Sequence, residues 1–270
     1  MPFLLLLLFT ASCATAELRL ATFNIRMGGA DQGDRAWPNR KGLVAETIQK
    51  MNPDLLGLQE AFRYQIDDLQ KSLPDYTWLG VGRDDGKNAG EFSPIFYRKE
   101  LFNVLRSGTF WLSDTPNTPG SMTWGNACTR ICTWATMKRK SNGDQIVIFN
   151  THWDHRGQKS RVLSADLMLK QIQKHAERNI ILMGDFNATE TNPALQKITS
   201  SGFQNCFLSR HLHGDNRGTF HPWNGRAQPK KTIDHIFIRP KAEIQKAWIE
   251  RHHEGRQWPS DHFPVVAVIR

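Results

Sequence analysis

The sequence has few cysteines and no pattern of paired cysteines. It contains four cysteines in 270 residues, and Cys128, Cys132 and Cys206 are the ones that remain if the chain is cleaved after Ala16. An odd number of cysteines cannot form a complete disulfide framework, which excludes a small disulfide-stapled scaffold. Because no Cys-x-x-Cys or nearby histidine pair accompanies them, the sequence does not favour a cysteine-ligated metal site either.

Signals that would divide the chain are also missing. No repeat, low-complexity tract, Pro/Ser-rich linker or shift of composition separates one part from another. With 39% hydrophobic residues, residues 17–270 are numerous enough to form one large core. We therefore expect a single domain over residues 17–270, a monomer with no obligate protein partner.

One apolar run stands out, at the N-terminus. Residues 4–9 are apolar and are followed by small residues up to Ala14-Thr15-Ala16. The run is too short to cross a bilayer, and it has the pattern of an export signal with its cleavage site. We interpret residues 1–16 as a signal peptide and expect a secreted or periplasmic protein. Residues 10–13 loosely resemble a bacterial lipoprotein box, so anchoring through Cys13 is the alternative.

Short apolar runs that end in polar side chains recur through the rest of the chain. Residues 180–183 form such a run, and Gly184, Asp185, Phe186 and Asn187 follow it. On an extended backbone, residues two apart share a face, so Asp185 and Asn187 are expected to converge. A carboxylate beside an amide suits a divalent cation or an activated water, although the same pair is also common in simple turns.

The same setting occurs at several predicted strands, which alternate with helices predicted over residues 40–51, 64–73, 158–175 and 193–199. The helix over residues 158–175 is expected to bury Val162, Leu163, Leu167, Leu169 and Ile172. Eight polar residues lie at or near predicted strand ends: Asn24, Glu60, His152, Asp185, Asn187, Asp234, Asp261 and His262. Each alone is commonly a satisfied polar group, but sheets gather their strand ends on one rim, where catalytic groups collect.

The ordered motifs resemble the endonuclease/exonuclease/phosphatase superfamily, the DNase I-like metal-dependent phosphoesterases. The motifs are Thr22-Phe23-Asn24-Ile25-Arg26, Leu58-Gln59-Glu60, Phe96-Tyr97-Arg98, Asn150-Thr151-His152, Gly184-Asp185-Phe186-Asn187, Thr232-Ile233-Asp234-His235-Ile236 and Ser260-Asp261-His262. The resemblance covers the whole chain after residue 16. It implies an α/β fold, a four-layer sandwich of two packed mixed β-sheets flanked by helices.

The resemblance also implies a site for Mg²⁺ or Mn²⁺. Glu60 corresponds to the principal ligand, with Asn24 and Asp261 close to the ion. These are hard oxygen donors, few enough to leave coordination positions for water and phosphate. Arg26 stands at a position from which it could clamp a substrate phosphate. The alternative for Arg26 is a salt bridge to a carboxylate of the metal site.

The catalytic roles implied by the resemblance fall on five residues. Asp185 corresponds to the group that orients and deprotonates the attacking water, and Asn187 to the group that holds the phosphoryl group. His262, hydrogen-bonded to Asp234, corresponds to the group that stabilises the transition-state charge, and His152 contacts the phosphate from the other side. In-line attack on phosphorus needs a positioned nucleophile and cations around the developing charge.

We therefore interpret the chain as an exported divalent-metal-dependent phosphoesterase, with a phosphodiesterase or nuclease favoured. A net charge of +9 and a pI near 9.6 favour phosphate polymers as partners. Trp37, Trp153, Trp223 and Trp258 lie near the motifs and are expected to offer stacking faces.

Two alternatives use the same residues differently. Basic residues in loops 35–41, 83–87 and 226–231 could line a compact pocket for a small sugar, inositol or lipid head-group phosphate. A non-catalytic binding module on the same fold is the more remote alternative, because such a module needs no aimed base. The glycine-rich loop 82–90 does not match a phosphate loop and is assigned no nucleotide role.

The N-terminal pattern makes the first prediction. Mass spectrometry of the exported protein is expected to show a chain that starts at Glu17, because the cleavage signal ends at Ala16. A diacylglycerol mass on Cys13 would instead support the lipoprotein alternative. An intact Met1 on exported protein would contradict both.

Overall fold

The strands of this chain form two mixed sheets. The computed structural model describes residues 17–175, 179–210, 216–229 and 231–270. In these ranges the strands are β1 (Leu18–Asn24), β2 (Leu55–Gln59), β3 (Tyr76–Leu79), β4 (Ile95–Arg98), β5 (Phe102–Trp111), β6 (Ile131–Arg139), β7 (Gln145–His152), β8 (Asn179–Asp185), β9 (Gln204–Asn205), β10 (Asp234–Arg239), β11 (Ile244–Ile249) and β12 (Val265–Ile269). The α-helices are α1 (Trp37–Met51), α2 (Arg63–Ser72), α3 (Gln158–Ile172) and α4 (Pro193–Ser200), and a 3₁₀ turn covers Gly33–Arg35.

Each sheet has a parallel pair of strands near its centre. The first sheet has the order β11-β12-β1-β2-β4-β3, and the second has the order β5-β6-β7-β8-β10-β9. The pairs β1–β2 and β7–β8 are parallel, and the other neighbours are antiparallel. The C-terminal ends of β1 and β2 therefore meet at one edge, as do those of β7 and β8.

Apolar residues on both faces of the sheets build four layers. One cluster lies between the sheets and includes Leu20, Leu55, Ile148, Ile181 and Ile236. On the outer face of the first sheet, side chains such as Phe23 and Leu58 pack on α1 and α2. On the outer face of the second sheet, Phe149 and Leu182 pack on α3 and α4. The four-layer α/β sandwich expected from the sequence is thus confirmed.

The helix over residues 158–175 differs from the expectation. It ends at Ile172, and its buried residues are Ser160, Ser164, Ala165, Met168 and Ile172. Val162, Leu167 and Leu169 are only partly buried. The expected apolar face is thus only partly correct: Ile172 is buried as expected, but Ser160, Ser164 and Ala165 occupy much of the inner side, and the larger apolar residues pack at its edge. Helix α1 begins at Trp37, earlier than expected, with Pro38 in its first turn.

The predicted signal peptide, residues 1–16 with Cys13, lies outside the described residues. Over the ranges that are described, the helices are too short or too polar to cross a bilayer. Cys128, Cys132 and Cys206 are free thiols.

The inter-sheet cluster makes a prediction about stability. Leu20 is fully buried between the sheets, whereas Leu105 is 47% exposed. Leu20→Ala is expected to lower the free energy of unfolding by about 2–5 kcal/mol, because it leaves a cavity between two sheets. Leu105→Ala is the matched control and is expected to change it by about 0.5 kcal/mol or less. Equal losses for the two variants in urea denaturation would contradict the assigned core.

Candidate active site

A cleft opens where β1, β2, β7 and β8 end. Its volume is about 370 Å³. Of the nine site residues expected from the sequence, seven line it: Arg26, Glu60, His152, Asp185, Asn187, Asp261 and His262. Asn24 and Asp234 lie behind these and are hydrogen-bonded to them. A second cavity, of about 200 Å³, lies at the opposite end of the sandwich, where Leu18 and Ile180 begin their strands.

Asn24 joins carboxylates from the two sheets. Its Nδ2 lies 3.0 Å from Glu60 Oε1 and 3.0 Å from Asp185 Oδ2, and its Oδ1 accepts a hydrogen bond from the Arg26 N–H at 3.0 Å. Only the amide nitrogen can donate, so this orientation is the one that satisfies both carboxylates. Asn24 does lie at the expected metal site, but it presents a donor there and so orients both carboxylates.

Glu60 and Asp261 form an acidic corner of the cleft around Arg26. The Arg26 Nη1 lies 3.9 Å from Glu60 Oε2, its Nε lies 3.8 Å from Asp261 Oδ2, and Nε donates to Asp31 Oδ2 at 3.0 Å. Burial raises the pKa of Asp261, and the nearby charge of Glu60 raises it further. Burial also opposes the ionisation of Glu60, yet its pKa is lowered overall by Asn24, His262, the Met27 N–H and Arg26.

This acidic corner fits a divalent cation. Buried carboxylates that disfavour each other's charge are relieved by a further positive charge between them. Their oxygens are the hard donors that Mg²⁺ and Mn²⁺ prefer. Arg26 lies within ion-pair distance of both site carboxylates and also lines the cleft.

Asp234, His262 and Asp185 form a second group beside this corner. The His262 Nδ1 donates to Asp234 Oδ2 at 2.9 Å, and its Nε2 lies 3.8 Å from Asp185 Oδ2. Burial disfavours the imidazolium, but Asp234, Asp185 and Asp261 outweigh it and raise the pKa of His262 to about 10. Burial and the charge of Asp234 raise the pKa of Asp185 to about 7. His262 is therefore charged at neutral pH, and Asp185 is poised to exchange a proton.

Asn187 and His152 complete the cleft on the other side of Asp185. The Asn187 Nδ2 lies 3.1 Å from His152 Nε2 and donates to the Trp153 carbonyl at 3.0 Å. Burial and the charges of Arg130 and Arg83 hold the pKa of His152 well below its usual value, so the ring is neutral. Because the Asn187 amide nitrogen can only donate, Nε2 of His152 is the acceptor, and Nδ1 has no hydrogen-bond partner among the described residues.

The convergence of Asp185 and Asn187 has a different cause from the one expected. Strand β8 ends at Asp185, and Asn187 has a φ of 47°, in the left-handed region. The Asp185 carboxylate accepts the Asn187 N–H at 2.9 Å, which closes a tight turn. Gly184 permits the approach of β7, because a Cβ there would lie 2.0 Å from the Thr151 carbonyl oxygen. The expected extended backbone was wrong, although both side chains reach the cleft.

Backbone strain is concentrated in the same place. Arg26 and Glu60 have φ values of 58° and 61°, like Asn187 in the left-handed region. Such a conformation costs about 1–3 kcal/mol for a residue with a side chain, and it persists where surrounding contacts enforce it. Three site residues in this conformation mark the cleft as a region selected for the positions of its side chains.

Arg40 supports the cleft from below and was missed from the sequence. It is fully buried and donates to the carbonyls of Ile25, Arg26, Arg35 and Pro259. Burial lowers its pKa to about 10. It thus ties the segment after β1 to the segment that carries Asp261 and His262. A charged residue near a helix start is usually solvated, so no sequence signal pointed to this role.

Two expectations about the surroundings need correction. Trp37 and Trp153 are buried, at 2% and 0% exposure, and offer no stacking face. No described basic residue of loops 35–41, 83–87 and 226–231 lines the cleft, and Arg40 points inward. Residue 230 lies outside the described residues. Near the cleft, ligand atoms of Cys128, Asp154 and a single histidine, His155, lie within 4.8 Å of one another. The Asp154 oxygens accept backbone N–H groups of residues 127, 156 and 157, so they organise the loop.

Comparison with known proteins gives relatives over most of the chain. The profile of the Endonuclease/Exonuclease/phosphatase family matches residues 21–262. The uncharacterized protein L388 of Acanthamoeba polyphaga mimivirus is 30% identical over 259 residues, covering 86% of this chain and 92% of L388. Human nocturnin is 24% identical over 257 residues, covering 85% of this chain. The chain spans 57% of the length of nocturnin and 31% of the length of the mimivirus protein R895.

A solved structure is similar over nearly its full length. The mannosyl-6-phosphatase of Bacteroides thetaiotaomicron superimposes with a TM-score of 0.86 and 33% sequence identity, covering 94% of this chain and 99% of that chain.

Two substitutions of Asn24 separate the effect of an added charge from the effect of losing the hydrogen-bonding side chain. Asn24→Asp places a third carboxylate between Glu60 and Asp185, whereas Asn24→Ala only removes the bridge. We expect Asn24→Asp to lose about 1–3 kcal/mol more of the free energy of unfolding at pH 7 in chelator, since the added charge has no partner. Urea denaturation followed by tryptophan fluorescence measures it. An aspartate variant as stable as the alanine variant would contradict the bridge.

Proposed function

The chain belongs to the Endonuclease/Exonuclease/phosphatase family of phosphoesterase hydrolases, which generally use divalent metal ions, and we propose that it hydrolyses a small phosphate monoester. The observation that carries the proposal is the cleft itself. Its volume of about 370 Å³ is that of a small-molecule site, and the carboxylate of Glu91 lies in its wall. The Glu91 carboxylate would repel a further phosphate group of a long polymer. A single phosphate held beside Asp185 and His262 would not reach it. The likeness to a mannosyl-6-phosphatase supports the same choice.

The proposed reaction places the proton transfer on Asp185. A water beside Asp185 attacks phosphorus in line with the leaving alcohol and gives up a proton to the carboxylate. One P–O bond to the water oxygen forms as the P–O bond to the alcohol breaks. Asp185 takes one proton from the water, and the leaving alcohol gains one proton. Ester and water therefore give alcohol and inorganic phosphate, and the proton count balances. A pKa of about 7 lets Asp185 both take and release it near neutral pH.

The remaining side chains stabilise the phosphoryl group. The imidazolium of His262, held in its charged form by Asp234, faces the developing negative charge. Asn187 and the neutral His152 are hydrogen-bonded to each other and line the cleft on the other side of Asp185. Arg26, with a side chain that is 31% exposed in the cleft, is placed to contact a phosphate oxygen.

The acidic corner is the proposed metal site. Glu60 and Asp261 would hold Mg²⁺ or Mn²⁺, and Asn24 would orient Glu60. When bound, the cation supplies positive charge that offsets the charge of the phosphate oxygens.

A nuclease is the second candidate, and the net charge of +9 favours it. Its other support is weakened, since Trp37 and Trp153 are buried and only Trp223 and Trp258 of the expected stacking residues are partly exposed. Export, through residues 1–16, remains part of the proposal for either substrate.

A substrate panel tests the proposed function. Sugar phosphates, inositol phosphates, sphingomyelin, RNA and plasmid DNA are assayed with Mg²⁺, Mn²⁺ or EDTA. We expect monoester hydrolysis that is lost in EDTA, is restored by either metal and changes little with salt. A nuclease would instead lose affinity with a log–log slope of about −0.9 per phosphate contacted on duplex DNA. Nicking of DNA without monoester hydrolysis would overturn the proposal, and full activity in excess EDTA would overturn the metal site.

Asp185→Asn tests the proton transfer. We expect kcat to fall by about 10²-fold or more, because the amide cannot accept the water proton. Asp114→Asn, at an exposed carboxylate, is the control and is expected to keep the wild-type rate. Circular dichroism checks that both variants are folded. A folded Asp185→Asn enzyme with near wild-type kcat would remove Asp185 from the mechanism.

A further inference from the structure

The cleft continues beyond the phosphoester groups to a second set of side chains. Glu91, Cys128, Arg130 and His155 line this part, which we call the distal wall. None of the four takes part in the reaction proposed above. They contain hydrogen-bonding groups that are not used by the fold.

Arg130 carries the clearest of these unused groups. It is only 4% exposed, and its Nη2 lies 3.0 Å from His155 Nδ1. Its Nε and Nη1 are buried and make no hydrogen bond to any described residue. Arginine stays charged in proteins and has five N–H donors, so two nitrogens of this cleft-lining residue lack a hydrogen-bond partner that a ligand would supply.

Glu91 places an acceptor on the same wall. Its Oε2 accepts a hydrogen bond from Arg83 Nη1 at 2.7 Å, and Oε1 makes none to the described residues. Burial raises the pKa of Glu91, while Arg83 and Arg130 lower it. The ion pair with Arg83 favours the charged form, although the pKa stays raised overall, and it leaves one carboxylate oxygen for the cleft.

The glycine-rich loop 82–90 holds this acceptor in place. The Arg83 N–H donates to the Glu91 carbonyl and the Asp84 N–H donates to the Ala89 carbonyl, both at 3.1 Å. Gly90 has a φ of 79°, and a Cβ there would lie 2.4 Å from Asp84 Oδ2. The loop is thus a closed, hydrogen-bonded turn, and Glu91 is positioned before any ligand binds.

The charges of the distal wall balance. Arg83 and Arg130 are positive, and Glu91 and Asp154 are negative and interact with Arg130. Burial lowers the pKa of His155 and raises the pKa of the Cys128 thiol, so both are neutral. A wall without net charge that offers donors and acceptors suits an uncharged polar group better than a second anion.

We propose that the distal wall binds the hydroxyl-bearing half of a polyol monophosphate, with Glu91 accepting from one hydroxyl and Arg130 donating to its neighbour. The inference rests on the proposed monoester hydrolysis and names the class of alcohol that leaves. Adjacent hydroxyls supply the donor and the acceptor that the two side chains need. Sugar and inositol monophosphates have this chemistry, whereas alkyl phosphates lack the hydroxyls and sugar bisphosphates add a charge.

The test compares monoesters that differ in their hydroxyls and ring oxygen, or in charge. The Mg²⁺-loaded wild type is assayed with a hexose 6-phosphate, with cyclohexylmethyl phosphate, which keeps the ring and the primary leaving group without hydroxyls, and with a hexose bisphosphate. We expect kcat/KM for the hexose 6-phosphate to exceed both others by about 10²-fold, as for a site built to hydrogen-bond hydroxyls. Equal or better hydrolysis of either other compound would overturn this inference and leave monoester hydrolysis standing. Failure on all monoesters would overturn the proposed function itself.

Two variants assign the selectivity to the distal wall. Glu91→Gln and Arg130→Lys are expected to lower the ratio of kcat/KM for the hexose 6-phosphate to that for cyclohexylmethyl phosphate by about 10-fold or more, through KM. Glu100→Gln, at an exposed carboxylate on a surface turn, is the control and is expected to keep the ratio. Thermal denaturation identifies any variant that does not fold. The comparison of substrates on the wild-type enzyme does not depend on any variant. An unchanged ratio in a folded variant would overturn the assignment.

Discussion

The hydrogen bonds from the Asn24 amide to Glu60 and Asp185 are the contact on which the site depends. Glu60 follows the first sheet and Asp185 ends a strand of the second, so two carboxylates approach from separate layers. Without a donor between them their charges would repel in a buried setting. Both carboxylates lie 3.0 Å from the Asn24 amide nitrogen. This shared contact aligns the ends of the two sheets at the cleft.

This contact separates two kinds of chemistry. On one side, Glu60, Asp261 and Arg26 form a corner whose oxygens fit a divalent cation. On the other side, Asp185 and the Asp234–His262 pair hold protons at groups with strongly shifted pKa values. Burial raises the pKa of Asp185, whereas the charges of Asp234, Asp185 and Asp261 outweigh burial at His262 and keep its ring charged. Arg40, buried beneath, fixes the segments that carry both sets.

Much of this arrangement could be predicted from the sequence, but the parts that depend on tertiary contacts could not. Apolar strands with polar ends predicted Asn24, Asp185 and His262 at one rim. Asn24 and Asp185 end strands of parallel pairs, and His262 precedes β12, which is antiparallel to β1 and so begins at the same edge. The sequence could not predict the left-handed backbone of Arg26 and Glu60, since neither residue type favours it and only tertiary contacts enforce it. The burial of Arg40 and Trp153 and the small-residue inner face of α3 likewise depend on which elements meet. Glu91 and Arg130 lie far apart in the sequence, and no motif joins them.

The central claim is the division between a cation corner and a proton-handling group. Anomalous X-ray scattering from crystals grown with Mn²⁺ tests it without any assay of activity. We expect the anomalous peak between the carboxylates of Glu60 and Asp261, with the His262 ring still hydrogen-bonded to Asp234. The ligand atoms of Asp185, Asp234 and His262 also lie within 4.8 Å of one another. A peak within that group instead would contradict the division.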